Sequence, residues 1–185
     1  QEILYYLAQN DPSKKVRKKV ADNPSTPVQA GMFLSKDKEA DIRLAMAHRL
    51  VKILPRLNED GYGQLYAYAV QSLGMLALDE VLKVRKALSE TLKDYAKTPA
   101  DLAAQLAKDL AREVSEPILR FCMAVPDKDL LEILKSHPSN WAAEAIAGRK
   151  SVSTQVSEAV IDTGNARAGV ILLSNEGAQI TPNLL

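Results

Sequence analysis

The chain is poor in the residues that build disulfide frameworks, metal cages and nucleophilic dyads. It contains one cysteine and two histidines in 185 residues. A single cysteine excludes an internal disulfide and fits a reducing compartment, while two histidines leave little for a metal site. We therefore expect a cytoplasmic protein with no metal and no cofactor.

An excess of charge of one sign is also lacking, and so are long apolar runs. Lys and Arg number 24 against 23 Asp and Glu, so no overall field draws the chain onto nucleic acid or an anionic membrane, and such binding must be local. No run approaches the roughly 18 apolar residues of a membrane helix, and the start does not resemble a signal peptide. The first residue is Gln1 and the last five resemble a helix start, which indicates a fragment of a longer chain.

Strand signals are scarce, whereas helix signals are abundant. Aromatic residues make up 5% of the chain, and Ala, Leu, Lys, Glu and Gln fill segments whose apolar residues recur three and four positions apart. The pattern predicts an all-α fold. Helices are expected over 2–9, 13–21, 27–35, 39–54, 60–76, 79–96, 99–112, 116–124, 127–135, 139–147, 153–162 and 166–173. Helices this short are marginal in water, so they must be stabilised by stacking on their neighbours.

Capping residues beside prolines mark several predicted helix starts, among them Thr26-Pro27 and Ser115-Glu116-Pro117. Thr98 and Asp101 have the spacing of a capping box around Pro99. The periodic residues Leu102, Leu106 and Leu110 follow this box and are expected on one face of a single helix.

Two pairs of segments repeat with one period. Residues 16–23 recur in outline at 42–49, and residues 142–149 recur at 168–175, each with a shift of 26 residues. Chance similarity between Ala-rich and Leu-rich helices is the alternative explanation. Because both pairs share the period, we interpret the chain as a series of helical repeats.

The segment 16–27 resembles the repeat units of leucine-rich variant and HEAT-like proteins of bacteria, through its Val-Arg, Val-Ala and Asn-Pro-Ser-Thr-Pro elements. Three later stretches are Glu116-Pro117-Ile118-Leu119, Asp129-Leu130-Leu131 and Leu172-Leu173-Ser174-Asn175-Glu176-Gly177-Ala178. Through them the chain, from about Leu82 onward, is similar to an uncharacterised bacterial family built on HEAT-like repeats. These resemblances imply a right-handed α-solenoid that spans 1–185 as one domain, with a possible subdivision into 1–57 and 58–185, and they bring no activity. HEAT-type units often carry an Asp and an Arg that bond between repeats, which the resemblance places at Asp41 and Arg43, while Arg17 and Arg85 match only the arginine half.

The strongest charge feature is the run 14–19, which has five cations in six residues. It could grip phosphates, or it could be a solvated helix face, since no aromatic residue is interleaved. Tyr62 and Tyr66 lie four residues apart and would share a helix face, either as an exposed protein-binding anchor or as core residues with a wet hydroxyl. The candidate binding residues are Lys14, Lys15, Arg17, Lys18, Lys19, Arg43, Arg49, Tyr62, Tyr66, Arg85 and Lys86.

The expected function is that of a non-enzymatic scaffold that binds another protein through the extended surface of its repeats. The alternative is a nucleic-acid-binding solenoid that uses the cluster 14–19. An enzyme resembling the HEAT-like DNA glycosylases comes third, because Trp141 is the only tryptophan and is expected in packing. Cys122 lies in an apolar run and is expected to be a small core residue, so no catalytic residue is predicted.

Overall fold

The computed structural model describes residues 1–59, 63–136 and 138–181, and within these residues the regular structure is entirely helical. The prediction of an all-α fold is confirmed. The helices are α1 (Glu2–Asn10), α2 (Lys14–Asp22), a 3-10 helix (Val28–Ala30), α3 (Gly31–Leu34), α4 (Ala40–Glu59), α5 (Gly63–Leu76), α6 (Leu82–Leu92), α7 (Ala100–Ala107), α8 (Arg112–Phe121), α9 (Asp127–Lys135), α10 (Asn140–Ala147), α11 (Thr154–Asp162) and α12 (Ala166–Leu173).

Two prolines lie inside helices where the sequence predicted a helix boundary. α4 continues through Pro55, and α8 begins at Arg112 and runs through Pro117. A proline lacks the N–H of the helical ladder and costs roughly 3 kcal/mol in a helix interior. Burial of apolar residues on the same helices offsets that cost, as with Val114 and Ile118 in α8.

The predicted helix 99–112 is too long. α7 ends at Ala107, and Leu110 lies in the following connection, where it is fully exposed. The Asp109 carboxylate accepts a hydrogen bond of 2.8 Å from the Ala111 N–H. This short turn leads directly into α8, so Leu110 does not share the buried face of Leu102 and Leu106.

The predicted capping box at Thr98 is also wrong. The residue before the first turn of α7 is Pro99, and no side chain caps that helix. The Thr98 hydroxyl instead donates to the carbonyls of Leu92 and Tyr95, at 3.0 and 2.7 Å, and so satisfies the end of α6. Thr26 donates in the same way to the Val20 carbonyl near the end of α2. The Thr-Pro pairs therefore stabilise the end of the helix that precedes them.

The contacts divide the chain into two compact units, Gln1–Thr91 and Leu92–Leu185. In the first unit α2 packs against α4, while α1 contacts the 3-10 helix and α3, which in turn contact α5. Helices therefore alternate along the chain between two rows, and contacts such as those of α1 with α2 and of α4 with α5 join the rows. The core between them includes Leu34, Ile42, Met46, Leu50 and Leu73, all fully buried.

The second unit alternates in the same manner. α8 packs on α10 and α10 packs on α12, while α9 packs on α11. α10 is the central helix of its row, and it is rich in alanine, with Ala142, Ala143, Ala145 and Ala147 buried. Small side chains allow helices on both sides to approach α10 closely, as the repeated alanines suggested.

Side chains from one helix cap the end of the preceding helix in the same row. Arg149, just after α10, donates to the carbonyls of Leu119 and Cys122 at the end of α8, at 2.5 and 2.8 Å. Asn175, just after α12, donates to the carbonyls of Ala147 and Arg149, both at 2.8 Å. These bonds satisfy helix carbonyls that have no partner within their own helix.

A short backbone pairing closes the end of the second unit. Val152 donates to the carbonyl of Gly177 and accepts from the N–H of Gln179, at 3.1 and 2.9 Å. Gly177 lies so close to this segment that a Cβ atom there would clash with the Lys150 carbonyl oxygen.

We expect Gly177→Ala to destabilise the second unit by about 2 kcal/mol or more, because the added methyl group would force the backbone pairing apart. Gly74→Ala in α5 is the control, since a Cβ atom there meets nothing within 4 Å and alanine is the better helix former by about 1 kcal/mol. Urea unfolding of both variants tests this. Equal stability of the two variants would contradict the assignment of Gly177 to a close backbone contact.

Candidate binding groove

Two arginines each bind an aspartate from a later segment of the chain through one edge of the guanidinium, with Nε and Nη2. Arg17 donates to Asp37 from Nε at 2.6 Å and from Nη2 at 3.2 Å. Arg43 makes the same two bonds to Asp79, at 2.6 and 3.0 Å. Both pairs are almost completely buried, with 10% or less of each side chain exposed. Bidentate pairing of this kind fixes the orientation of both partners.

The remaining nitrogen of each arginine binds the connection that precedes its own helix. Nη1 of Arg17 donates to the carbonyls of Asp11 and Pro12, at 2.9 and 3.0 Å. Nη1 of Arg43 donates to the carbonyls of Asp37 and Lys38, at 2.8 and 3.3 Å. Each guanidinium thus joins the start of its own helix to an aspartate in a later connection.

The expectation that Asp41 supplies the aspartate of the ladder is wrong, whereas Arg43 does bond to an aspartate of a later segment, Asp79. Asp41 is exposed and lies 4.0 Å from the Lys14 ammonium. The true acidic partners come from a different pattern, in which an aspartate lies six residues before each arginine, as in Asp37 and Arg43. Each such aspartate also accepts the N–H two residues later, as Asp37 does from Glu39 at 2.9 Å, and so shapes the turn that receives the arginine.

The environment of Asp37 favours its charged form. Burial raises the pKa of this carboxyl, but the hydrogen bonds from Arg17 and from the Glu39 N–H, together with the positive charge of Arg17, outweigh burial and hold the pKa below its usual range. The hydrogen bond with Asp37 is in turn the main reason that the pKa of Arg17 is raised. The ion pair is therefore formed at neutral pH.

The lysines of the cluster 14–19 fall into two rows on α2. Lys14 pairs with Glu39 at 2.9 Å, and Lys18 pairs with Asp22 at 2.9 Å. Lys15 and Lys19 are exposed, and within the described part of the chain neither forms an ion pair. Since Arg17 is buried, the run of five cations provides one row of neutralised lysines and one row of free lysines.

The other predicted binding residues contact different parts of the first unit from those that the lysine cluster contacts. Arg49 is half-buried and donates to the Thr26 carbonyl, and burial lowers its pKa. Arg85 donates to the Asp79 carbonyl at 2.7 Å, and Lys86 is exposed. Tyr66 is half-buried on α5.

Three further predictions concern Tyr62, Trp141 and Cys122. Tyr62 lies outside the described residues, so its pairing with Tyr66 stays a prediction. Trp141 is half-buried, with the Arg112 guanidinium 5.5 Å from its ring centre. Cys122 is buried, and burial raises the pKa of its thiol, which keeps the thiol protonated.

A groove of 1010 Å³ lies in the first unit, between α1, the 3-10 helix and α3. Its aromatic lining consists of Tyr5, Phe33 and Tyr68. The rings of Tyr5 and Phe33 meet edge to face, with centres 5.4 Å apart, a favourable arrangement that holds both in place. Sequence reasoning missed this groove because its residues come from helices that are adjacent only after folding.

Polar side chains surround the aromatic part of the groove. The amides of Gln9 and Gln29 line it, and each can donate and accept hydrogen bonds. Its charged lining residues balance, with Glu2, Asp11 and Asp37 against Arg17, Lys36 and Lys38. The buried pair of Arg17 and Asp37 therefore forms part of the groove wall as well as a link between helices.

In the residues described, no helix combines the length and apolar character of a membrane span. Over the same residues, no group of three or more His, Cys, Asp or Glu side chains is placed to hold a metal ion.

Residues 114–185 match the model of a family described as an uncharacterised protein conserved in bacteria, DUF2336. The predicted similarity of the later part of the chain to an uncharacterised bacterial family is confirmed. The matched segment extends from α8 to the end and does not include the groove. No curated protein and no solved structure matches the chain.

We expect Asp79→Asn to destabilise the protein by about 3 kcal/mol or more, because it removes the negative charge opposite the buried Arg43 guanidinium. Asp41→Asn is the matched control, since Asp41 is exposed and should change stability by less than about 0.5 kcal/mol. Chemical unfolding measures both. A larger effect at Asp41 would contradict the pairing.

The Asp37 pair predicts a pH dependence with a defined sign. Its pKa is lowered in the folded state, so its contribution to stability is complete above the unfolded value of about 3.9 and is lost as the pH falls below it. The stability difference between the parent and Asp37→Asn should therefore be constant from neutral pH to about pH 4 and shrink below. Urea unfolding at several pH values measures it, and a difference that grows in acid would contradict the assignment.

Proposed function

We propose that the chain is a right-handed α-solenoid of HEAT-like repeats and acts as a non-enzymatic scaffold for another protein. The alternation of helices between two rows in each unit supports this architecture. So do the capping bonds from Arg149 and Asn175, which join same-row helices and span 27 and 28 residues. Repeat proteins are built from such contacts between neighbouring units.

The groove of the first unit is the observation that carries the functional proposal. Protein-binding surfaces concentrate their free energy in aromatic anchors surrounded by polar groups that exclude water. Tyr5 and Phe33 have this character, and the amides of Gln9 and Gln29 can pair with the main chain of an extended segment. The balanced charges of the lining favour a partner without strong net charge.

The positions of the cations favour a protein over a nucleic acid as the partner. Nucleic-acid binding needs several free cations along one surface. Arg17 and Arg43 are buried in ion pairs, and Lys14 and Lys18 are neutralised by carboxylates. The non-enzymatic assignment agrees with the protonated, buried thiol of Cys122.

A site-specific photo-cross-linker tests the proposal directly. Placed at Gln29, inside the groove, it should give defined protein adducts in bacterial cells, whereas the same group at the exposed Lys52 should not. The captured protein is then purified and its binding measured with the recombinant chain. Adducts with RNA or DNA at Gln29, or the same protein adducts from both positions, would reject the groove as a protein-binding site.

Two adjacent tyrosines, Tyr5 and Tyr6, provide a test variant and a control for measuring how the captured partner binds. We expect Tyr5→Ala to weaken binding by about 30-fold, which corresponds to the loss of about 2 kcal/mol from an aromatic anchor that the partner would bury. Tyr6→Ala removes a ring that is 64% exposed and does not line the groove, so binding should hardly change. Isothermal calorimetry measures both affinities, and unfolding curves exclude a loss of fold. Equal weakening by both variants would count against the groove.

A further inference from the structure

A second, smaller groove lies between α1 and α2 and is separate from the first. Its volume is 340 Å³, and its apolar residues are Leu4 and Leu7 from α1 and Val16 and Val20 from α2. Leu4, Leu7 and Val16 are only half-buried. Ile3 lies one helical turn before Leu7 and is 75% exposed, so an apolar surface continues from the groove onto α1.

Lys15 and Lys19 form the cationic edge of this second groove. They are one helical turn apart and therefore share a face of α2. Among the described residues, these are the two lysines of the cluster that form no ion pair, whereas Lys14 and Lys18 pair with Glu39 and Asp22. The free positive charges of α2 are thus placed beside its apolar groove.

We propose that the groove between α1 and α2 docks an acidic amphipathic helix of a partner protein. An apolar strip with cations along one side is complementary to a helix whose apolar face is bordered by Glu or Asp. Such a helix would cover Leu4 and Leu7 while its carboxylates meet Lys15 and Lys19. The proposal shares with the proposed function the premise that the chain binds protein, but it rests on different residues.

The lining of this groove argues against nucleic acid as its occupant. Single strands are held by aromatic rings that stack on the bases, beside cations that follow the backbone. Among the residues that the structure describes, the lining of the groove between α1 and α2 consists of four aliphatic residues, two lysines and Asn23, and none of them is aromatic. Its apolar residues are complementary to leucine side chains of a partner helix. Its two lysines are complementary to acidic residues beside those leucines.

The probe is a synthetic amphipathic helix of about 18 residues, with Leu on one face and Glu along its borders. A peptide with Lys in place of Glu and a single-stranded oligonucleotide are the comparison ligands. Binding to the full chain is measured by fluorescence anisotropy near physiological salt. The variant is Lys15→Glu with Lys19→Glu, and the matched control is Lys14→Glu with Lys18→Glu, which makes the same change in net charge on the same helix.

We expect the acidic peptide to bind with micromolar affinity and the basic peptide to bind at least about tenfold more weakly. The Lys15 and Lys19 variant should weaken acidic-peptide binding at least about tenfold, and the Lys14 and Lys18 control less than about threefold. Equal losses in the two variants, no binding of the acidic peptide at about 100 μM, or tighter binding of the oligonucleotide with the same lysine dependence would each overturn the proposal.

Tyr5→Ala separates this proposal from the proposed function. Tyr5 lines the first groove and does not line the second, so the variant should leave acidic-peptide binding unchanged. Loss of binding in Tyr5→Ala would show that the peptide occupies the first groove and would overturn the assignment to α1 and α2. If the peptide fails to bind while the cross-linked partner still depends on Tyr5, only the acidic-helix proposal fails.

Discussion

The first unit depends on the buried pairing of Arg17 with Asp37 and of Arg43 with Asp79. Taking these charges out of water is costly, and the cost is recovered only because every arginine edge has a partner. Two nitrogens bind a carboxylate and the third binds carbonyls of the preceding connection. This requirement fixes the start of α2 and α4 and the turns around Asp37 and Asp79, so that helix packing follows from the polar geometry as much as from the apolar core.

The second unit holds its helices in register differently. Arg149 is buried, no carboxylate of the described residues forms an ion pair with it, and it donates to the carbonyls at the end of α8. Burial lowers its pKa, yet an arginine keeps its proton over the whole physiological range. Asn175 makes the equivalent bonds to the end of α10 without a charge. In the first unit, arginines paired with aspartates bind the carbonyls of connections. In the second unit, an arginine without such a pair among the described residues and an asparagine bind the carbonyls at helix ends.

The periodicity of apolar residues was sufficient to predict an all-α chain and the approximate position of each helix. It failed at Pro55 and Pro117, because local rules treat proline as a boundary while burial of the neighbouring apolar residues keeps the helix intact. The family resemblance placed the aspartate of the ladder at Asp41, whereas the aspartate that Arg43 binds is Asp79, 36 residues later in the chain.

Neither groove could be predicted from the sequence, because each depends on contacts between residues that are distant along the chain. Tyr5 and Phe33 come from separate helices, and nothing in the local pattern of either predicts that their rings meet. The run of cations on α2 was visible, but its division into neutralised and free lysines depends on the distant Glu39 and on the rotation of the helix. Sequence patterns gave the residue types of the surface, and only folding determines which of their charges remain available.

One residue, Arg17, belongs to both the wall of the larger groove and the link between α2 and the connection before α4. A ligand in this groove would contact the ion pair of Arg17 and Asp37. Breaking that pair would release α2 from the connection before α4. Binding and local opening are therefore thermodynamically linked: a ligand that needs the intact wall raises the free energy of opening by RT ln(1 + L/Kd), where L is its free concentration. Hydrogen exchange of the α2 amides would then respond to occupancy of the groove, and the first unit would be most resistant to opening when it holds its partner.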